Sequence, residues 1–352
     1  MKKLRIGVIG TGNISHEHIS AYMNNPHCEL YALCDIDEET LAAKGKKYGV
    51  DRLFTDCGEM LKALPELDAV SVCTWNSAHA PCAVAALQAG KHVFCEKPMA
   101  MSAAEAEQMR QAAKKAGKLL ALGFVRRFGK DADLVRELVK EGMLGEIYYA
   151  KAAYIRRNGS PGGWFTDRAR SGGGPLIDLG VHVIDLVRYL AGNPLPVSVY
   201  GAAFYKLGER KLNEVKAYTA TRADENKCDV EDLAAAMIRF SDGMVLNVET
   251  SYALNTAAES GRIELFGTKG GVRIDPGVSL HTVTAGKLSD VTFPSPAMFG
   301  GEAYRKEIDE FIDAIISGTP LRANADDGVE MMKILDAIYR SAQTGHEVSI
   351  AL

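Results

Sequence analysis

Two patterns in the sequence predict the fold class. Up to about residue 124, short β-rich runs alternate with helical stretches, as in a parallel, doubly wound α/β sheet with helices on both faces. Beyond it, long apolar–polar alternations separated by turn residues take over, as in the hairpins of an antiparallel sheet, so the second half reads as α+β. A length of 352 residues suits two domains of ordinary size, placed at 1–124 and 125–352.

The first domain opens with LRIGVIG (4–10) as a strand, followed by a helix over 14–24. CELYALCD (28–35) is the second strand, and its helix ends near Gly49. Residues 52–54 make a short third strand. AVSVCTW (69–75) precedes a helix over 78–89 closed by Gly90, and HVFCE (92–96) precedes a helix over 102–116 closed by Gly117. Glycine is favoured there because a chain leaving a helix often passes through the left-handed region. LLALGFV (119–125) ends the series.

In the second domain a helix over 130–141 leads to IYYAKAAYIRRN (147–158), an alternating strand. Residues 156–174 are glycine-rich and form the longest irregular stretch, the expected active-site loop. A helix over 172–190 follows. LAAAMIRFSDGMVLNVETSYAL (233–254) reads as a hairpin turning at Ser241-Asp242-Gly243, and RIELFGTKGGVRID (262–275) as another. Helices over 302–317 and 326–344 finish the chain, which has no internal repeat and no low-complexity segment.

Composition excludes several classes. Hydrophobic residues at 47% against 24% charged favour a globular protein over a disordered one. A net charge of −4 without a long Lys/Arg block argues against a nucleic-acid partner. No apolar run approaches the ~20 residues needed to cross a bilayer, so no membrane partner is expected. MKKLRIGVIG imitates a signal peptide, but Arg5 interrupts it and polar TGNISHEH follows, so it reads as a strand. The seven cysteines, at 28, 34, 57, 73, 82, 95 and 228, form no CxxC pair, and most lie in apolar runs. That usage predicts a reducing, cytoplasmic setting.

Gly10-Thr11-Gly12-Asn13-Ile14-Ser15 follows the first strand and opens a helix. The first glycine permits a tight turn, and the second lets a pyrophosphate approach the backbone at the helix N-terminus. Ser15 stands where a third glycine is usual, a small-for-small change. Asp35 ends the second strand, where a carboxylate accepts hydrogen bonds from a ribose and repels a 2′-phosphate. Ile36 and Asp37 add no cation, so NAD is favoured over NADP. The alternative is that Asp35 merely caps the next helix. The glycosylation sequon Asn13-Ile14-Ser15 is discounted inside this loop.

Glu96-Lys97-Pro98 ends the fifth strand, and Thr74, Asn76 and His79 follow the fourth. In a doubly wound sheet the carboxyl ends of the strands border the ligand crevice. Lys97 can then reach the redox end of a dinucleotide, or else is a surface lysine in a turn.

GGGPLIDLGVHVIDLVRYL (172–190) sets Asp178, His182 and Asp185 among apolar residues. In an α-helix they fall at i, i+4 and i+7, on one stripe. A helix apolar almost all round is buried, and a buried polar stripe must be hydrogen-bonded or functional. Either His182 is a general base oriented by Asp178, or the two are a self-satisfied core pair. The glycines at 172–174 let the helix start close to a ligand or another backbone. The DxxxH spacing of Asp178 and His182 is not a structural zinc spacing and no GxSxG elbow is present, so neither a metal site nor a serine hydrolase is expected.

Together the glycine loop, the phrase Ala89-Gly90-Lys91-His92-Val93 leading into Glu96-Lys97-Pro98, the Asp178-x-Gly180-x-His182-x-x-Asp185 pattern and the helix around 334–339 resemble the Gfo/Idh/MocA family over the whole chain. The name joins glucose–fructose oxidoreductase, inositol dehydrogenase and rhizopine catabolism. The resemblance implies a Rossmann domain followed by an α+β domain on a large, mostly antiparallel open sheet. It also implies NAD(P)-dependent oxidation or reduction at a hydroxyl or carbonyl of a sugar, sugar derivative or cyclitol. Lys97 would orient the reacting oxygen and help move its proton, His182 would take the hydroxyl proton, and Asp178 would tune His182 and contact substrate.

On that basis the expected cofactor residues are Gly10, Thr11, Gly12, Asn13, Ile14, Asp35, Thr74, Asn76, His79, Glu96, Lys97 and Arg126, with Arg127 an alternative to Arg126 for touching nicotinamide or substrate. The strand entering the second domain would line the substrate pocket, with alternation placing Tyr154, Arg156 and Asn158 on one face. Arg156 and Asn158 are the expected substrate contacts, and Trp164 a stacking surface for a sugar ring; each has a structural alternative. Two positions depart from the family pattern: Trp75 replaces a usual Pro, and Val125 a frequent Asn. Related proteins include glycosidases that hold NAD tightly and nucleotide-sensing regulators. The glycosidases often lack the Lys of this motif, so Lys97 argues against them, and retention of Lys97, Asp178 and His182 together argues against a regulator. An exposed sheet face with Val245 and Val248 predicts self-association as a homodimer or homotetramer.

Overall fold

A computed structural model describes residues 3–208, 210, 227–294 and 300–351. The chain forms two compact units, one of Met1–Val125 with Gly301–Val329 and the other of Arg126–Gly300 with Glu330–Leu352.

The first unit is the expected alternation: β1 (Leu4–Ile9), α1 (Ser15–Asn24), β2 (Cys28–Cys34), α2 (Glu38–Tyr48), β3 (Leu53–Phe54), α3 (Cys57–Ala63), β4 (Ala69–Val72), α4 (Asn76–Gln88), β5 (His92–Cys95), α5 (Ala103–Ala116) and β6 (Leu120–Leu122). Its strands pair in parallel in the order β3-β2-β1-β4-β5-β6. The direction of winding reverses between β1 and β4, so the loops after these two strands flank the crevice where such sheets bind ligands. Asp37, Asp56 and Ser102 cap α2, α3 and α5 through their side chains. Sequence inspection misses α3, whose seven residues are too few to show an apolar period; the Asp56 carboxylate accepting from Glu59 N at 2.8 Å is what starts it. β6 is shorter than 119–125, and the chain turns through a 3₁₀ segment at Val125–Phe128.

The second unit begins with α6 (Lys130–Lys140) and β7 (Ile147–Ile155), then α7 (Arg168–Ser171), a π-helical turn at Leu176–Gly180 and α8 (Val181–Leu190). β8 (Pro196–Phe204), β9 (Leu233–Phe240), β10 (Val245–Ser251), β11 (Ile263–Gly267), β12 (Gly270–Ile274), β13 (Val278–Thr284) and β14 (Lys287–Thr292) follow. Both expected hairpins form, β9 with β10 and β11 with β12, the first turning through Gly243 at φ +90. With β15 (Val348–Ser349) the described strands make one nine-stranded sheet, ordered β14-β13-β12-β11-β7-β10-β9-β8-β15. All its pairings are antiparallel except β7 with β10.

Two expectations about this unit need correction. The helix over 172–190 is not one α-helix, because the π turn puts i→i+5 bonds under Asp178 and breaks the i, i+4 stripe from Asp178 to His182. Val248 is not on the exposed face: it is 1% exposed and belongs to the core, whereas the directly paired Tyr200 and Met237 remain exposed. Val245 and Val248 are an odd number of residues apart, so a pleated strand sends them to opposite faces.

Two long helices close the chain, α9 (Gly301–Ser317) and α10 (Ala325–Thr344). α9 lies with the first unit rather than with the second domain. Its Ile308, Phe311 and Ile312 share a buried cluster with Ile19 and Tyr22 of α1, and Asn25 Nδ2 donates to Asp309 Oδ1 at 2.7 Å. An amphipathic helix is equally at home on either sheet, so its pattern alone does not assign it.

Candidate active site

The loop after β1 has the geometry of a phosphate cradle. Gly10 sits at φ +88, and a Cβ there would lie 2.6 Å from the Cys73 carbonyl at the end of β4, so only glycine fits. A Cβ on Gly12 would meet nothing within 4 Å, leaving that backbone open to a ligand. Ser15 is fully buried, and its hydroxyl donates to Gly12 O at 2.7 Å, which closes the loop in place of a third glycine. Ile14 precedes α1 as its N-cap residue and offers no side-chain cap. A helix N-terminus with open N–H groups and a positive dipole end is suited to a pyrophosphate. The residues therefore fit a dinucleotide.

Asp35 is not the cap of α2; Asp37 is, accepting from Thr40 N at 2.6 Å. Instead Asp35 Oδ2 accepts from Thr11 N at 2.6 Å and Thr11 Oγ1 at 2.9 Å, while Oδ1 accepts from Asp37 N at 2.9 Å. A carboxylate has about four acceptor sites, so one remains for a ribose hydroxyl. Asp35 thus holds the glycine loop closed from the end of β2.

At the ends of β4 and β5 the expected residues divide. Lys97, joined to Pro98 by a cis peptide, is half-buried between buried neighbours. Thr74 is half-buried too, and Asn76 lies buried in the first turn of α4. His79 faces two backbone carbonyls, Pro98 O at 2.7 Å from Nδ1 and Thr74 O at 3.2 Å from Nε2. Burial pushes its imidazole below the ordinary value, and a neutral ring would carry a single N–H for one of these two carbonyls.

Glu96 is turned inward. Its Oε1 meets His18 Nε2 at 2.9 Å, and its Oε2 accepts from Lys97 N at 3.0 Å. Burial opposes its ionisation, but His18 and Lys97 hold the carboxyl below the ordinary value. A Cβ on Gly123 would lie 3.1 Å from this carboxylate, which explains the glycine after β6. Glu307 of α9 completes a buried group whose polar atoms lie within 4.8 Å of one another. Burial, then the charge of Glu96, pushes the Glu307 carboxyl well above its ordinary value. Nothing in the sequence links positions 18, 96 and 307.

In the second unit the polar residues of 172–190 sort by burial. Of the residues of α8, all described, only His182 is half-exposed. Asp178 is 8% exposed and its Oδ2 accepts from Tyr252 Oη at 2.8 Å. Burial first, then the charge of Asp178, pushes the Tyr252 phenol well up, so it remains a donor. Asp185 is an anchor: Arg127 donates to it through Nε at 2.9 Å and Nη2 at 2.6 Å, both side chains fully buried. Arg126 is 2% exposed, and burial lowers its guanidinium against the opposing charges of Asp131, Tyr154 and Asp275.

The start of this helical segment is built by residues the sequence does not flag. Glu231 accepts from Gly174 N at 3.0 Å, Leu176 N at 3.1 Å and Tyr339 Oη at 2.9 Å. A Cβ on Gly173 would strike the Tyr339 hydroxyl, and one on Gly174 would strike Glu231 O. Those two glycines therefore serve a close side-chain and backbone approach. A Tyr or Glu separated by tens of residues carries no local pattern that marks it as a partner.

The substrate residues depart from the alternation assumed for them. β7 ends at Ile155, so period two does not reach 158. Arg156 folds back, donating from Nη1 to Gly159 O at 2.9 Å, with its guanidinium 5.3 Å from the Tyr154 ring centroid. Burial alone would lower this guanidinium, but Tyr154 and Asp178 raise it overall. Asn158 forms an isolated bridge with Ala253. Trp164 stacks on Phe165 with centroids 3.9 Å apart, which occupies one face of its indole.

Residues 4–124 match the model of an oxidoreductase family with an NAD-binding Rossmann fold, and residues 136–350 match that family's C-terminal alpha/beta domain. The chain is 35% identical to the D-glucoside 3-dehydrogenase of Escherichia coli K12, over 99% of this chain and 97% of that one. It is 28% identical to the myo-inositol 2-dehydrogenase of Thermotoga maritima, over 99% and 98%. The solved structure of levoglucosan dehydrogenase in complex with NADH superposes with a TM-score of 0.87 at 26% identity, over 99% of this chain and 100% of that one. The glycine cradle, the doubly wound sheet and the large second sheet thus have a common explanation: the chain belongs to the Gfo/Idh/MocA oxidoreductase family.

Proposed function

We propose that this chain is an NAD-dependent dehydrogenase acting on a hydroxyl of a sugar, sugar derivative or cyclitol. The observation that carries the proposal is the sorting of the polar groups in 172–190, where Asp178 and Asp185 are buried while His182 alone in α8 is partly exposed.

Bound nicotinamide supplies the hydride acceptor or donor. The protein's own part is binding and proton handling. Gly10, Thr11, Gly12, Asn13 and Ile14 present the cradle, with Thr74, Asn76 and Arg126 as further cofactor contacts. Asp35 offers its remaining acceptor site to a ribose and repels a 2′-phosphate, which favours NAD over NADP. His182 takes the hydroxyl proton, and Asp178, held by Tyr252, keeps a negative charge near the imidazolium that results. Lys97 steadies the reacting oxygen as its charge changes. Arg156, Asn158 and the outer face of Trp164 bind the sugar. In this scheme residues 1–124 bind the nucleotide, while 125–352 bind substrate and associate with copies of the chain as a homodimer or homotetramer in the cytoplasm.

An activity screen across cyclitols, aldoses, uronic acids and sugar phosphates with NAD or NADP tests the proposal. NAD reduction is expected with at least one member, and slower turnover with NADP. NAD binding without turnover on any member would identify a sensor instead. Glycoside cleavage with cofactor that never exchanges would identify a glycosidase.

A further inference from the structure

Two thiols outside the site described above face each other. Cys57 is the first residue of α3, directly after its cap Asp56, and Cys82 lies on α4. The Cys82 thiol donates to Cys57 Sγ at 3.7 Å, and both residues are half-buried. The 3.7 Å separation puts the two sulfurs in direct contact, against about 2.05 Å in a disulfide. We propose that Cys57 and Cys82 form a reversible disulfide on reaction with a peroxide, stapling α3 to α4 and sparing Cys57 from irreversible oxidation.

The pair is chemically asymmetric in the way the reaction needs. The hydrogen bond from Cys82, aided by the N–H groups at the start of α3, lowers the Cys57 thiol to about 7, against burial and the charge of Asp56. That same contact and burial push the Cys82 thiol up, so it keeps its proton. Cys34, Cys28, Cys73 and Cys95 are buried, and burial pushes each of them up; Cys34 and Cys28 stand at about 12. Cys57 is therefore the nucleophile of this unit.

The Cys57 thiolate attacks one peroxide oxygen. The O–O bond breaks, an S–O bond forms, and hydroxide leaves to become water. Cys82 sulfur then attacks Cys57 sulfur, the S–O bond breaks, the S–S bond forms, and a second water leaves with the Cys82 proton. The two thiols lose two electrons and two protons, and hydrogen peroxide is reduced to two waters. An added dithiol returns both groups to thiols by exchange.

The test treats the full chain with hydrogen peroxide, blocks remaining thiols and maps the peptides by mass spectrometry. A Cys57–Cys82 linkage that dithiothreitol removes is expected. In Cys82→Ser, Cys57 should instead carry a dimedone-reactive sulfenic acid, then a sulfinic acid that dithiothreitol does not reverse. In Cys57→Ser, Cys82 should stay a thiol, which keeps the test open if the first variant folds poorly. Free alkylation of both cysteines after peroxide, or a linkage of Cys57 to Cys34, overturns the proposal.

Discussion

Tyr252 donates its phenol hydrogen to Asp178 Oδ2 at 2.8 Å, tying a buried carboxylate on the π turn to the residue that follows β10. If Asp178 tunes His182, this bond tunes Asp178. Tyr252→Phe removes one donor from a buried anion, an effect of about 1.5–3 kcal/mol for a hydrogen bond to a charged group. A fall in kcat of roughly tenfold or more is expected, together with a shift in the pH limb of kcat/KM that reports the base. NADH affinity, measured by fluorescence titration, should be unchanged.

The Arg127–Asp185 pair predicts an effect on stability rather than chemistry. Both side chains are fully buried and joined by two hydrogen bonds. Asp185→Asn leaves an uncompensated guanidinium, which costs about 3–5 kcal/mol. The double variant Arg127→Met, Asp185→Leu removes both charges and should recover most of that loss. Urea unfolding of the three proteins measures the difference.

Asp35 predicts the nucleotide preference. Its carboxylate closes the glycine loop through Thr11, and in the proposed reading its charge disfavours a 2′-phosphate. Asp35→Ser should weaken NAD binding and narrow the ratio of kcat/KM for NAD over NADP at least tenfold. An unchanged ratio would mean that the discrimination arises elsewhere.

Glu307 predicts a pH dependence. Its folded-state carboxyl is pushed well above the ordinary value by burial and by Glu96. An unfolded chain releases that proton near pH 4.3, so folding must recapture it at any higher pH below the folded value. The protonated acid therefore contributes stability that is fully present below about pH 4.3 and is progressively lost as the pH rises toward the folded value. Glu307→Gln removes this loss. Its Tm relative to the parent should rise between pH 5 and pH 8, as followed by thermal melts at both.

How much of this was legible in the sequence depends on the range of the interaction. The glycine loop and Asp35 lie on either side of one helix and one strand, so spacing alone marks them. Lys97 and His182 sit in phrases dense enough to show the family. The periodicity argument for 172–190 assumed a continuous α-helical stripe that the structure does not have, because a π turn leaves no trace in an apolar run. Tyr252, Glu231 and Glu307 were invisible for a different reason. Each meets its partner across tens or hundreds of residues, and a lone Tyr or Glu in a strand or helix has no pattern that names the other end. β13 and β14 were missed because much of their outer surface is exposed, so apolar alternation is weak.

The most direct test of the central claim is single-turnover NADH formation by His182→Ala on the best substrate, beside Lys97→Ala and the parent. Loss of a positioned base should lower the rate by roughly 10²–10⁴-fold, with NAD affinity nearly unchanged in both variants. A His182→Ala rate equal to the parent's would contradict the assignment of His182 as the proton acceptor.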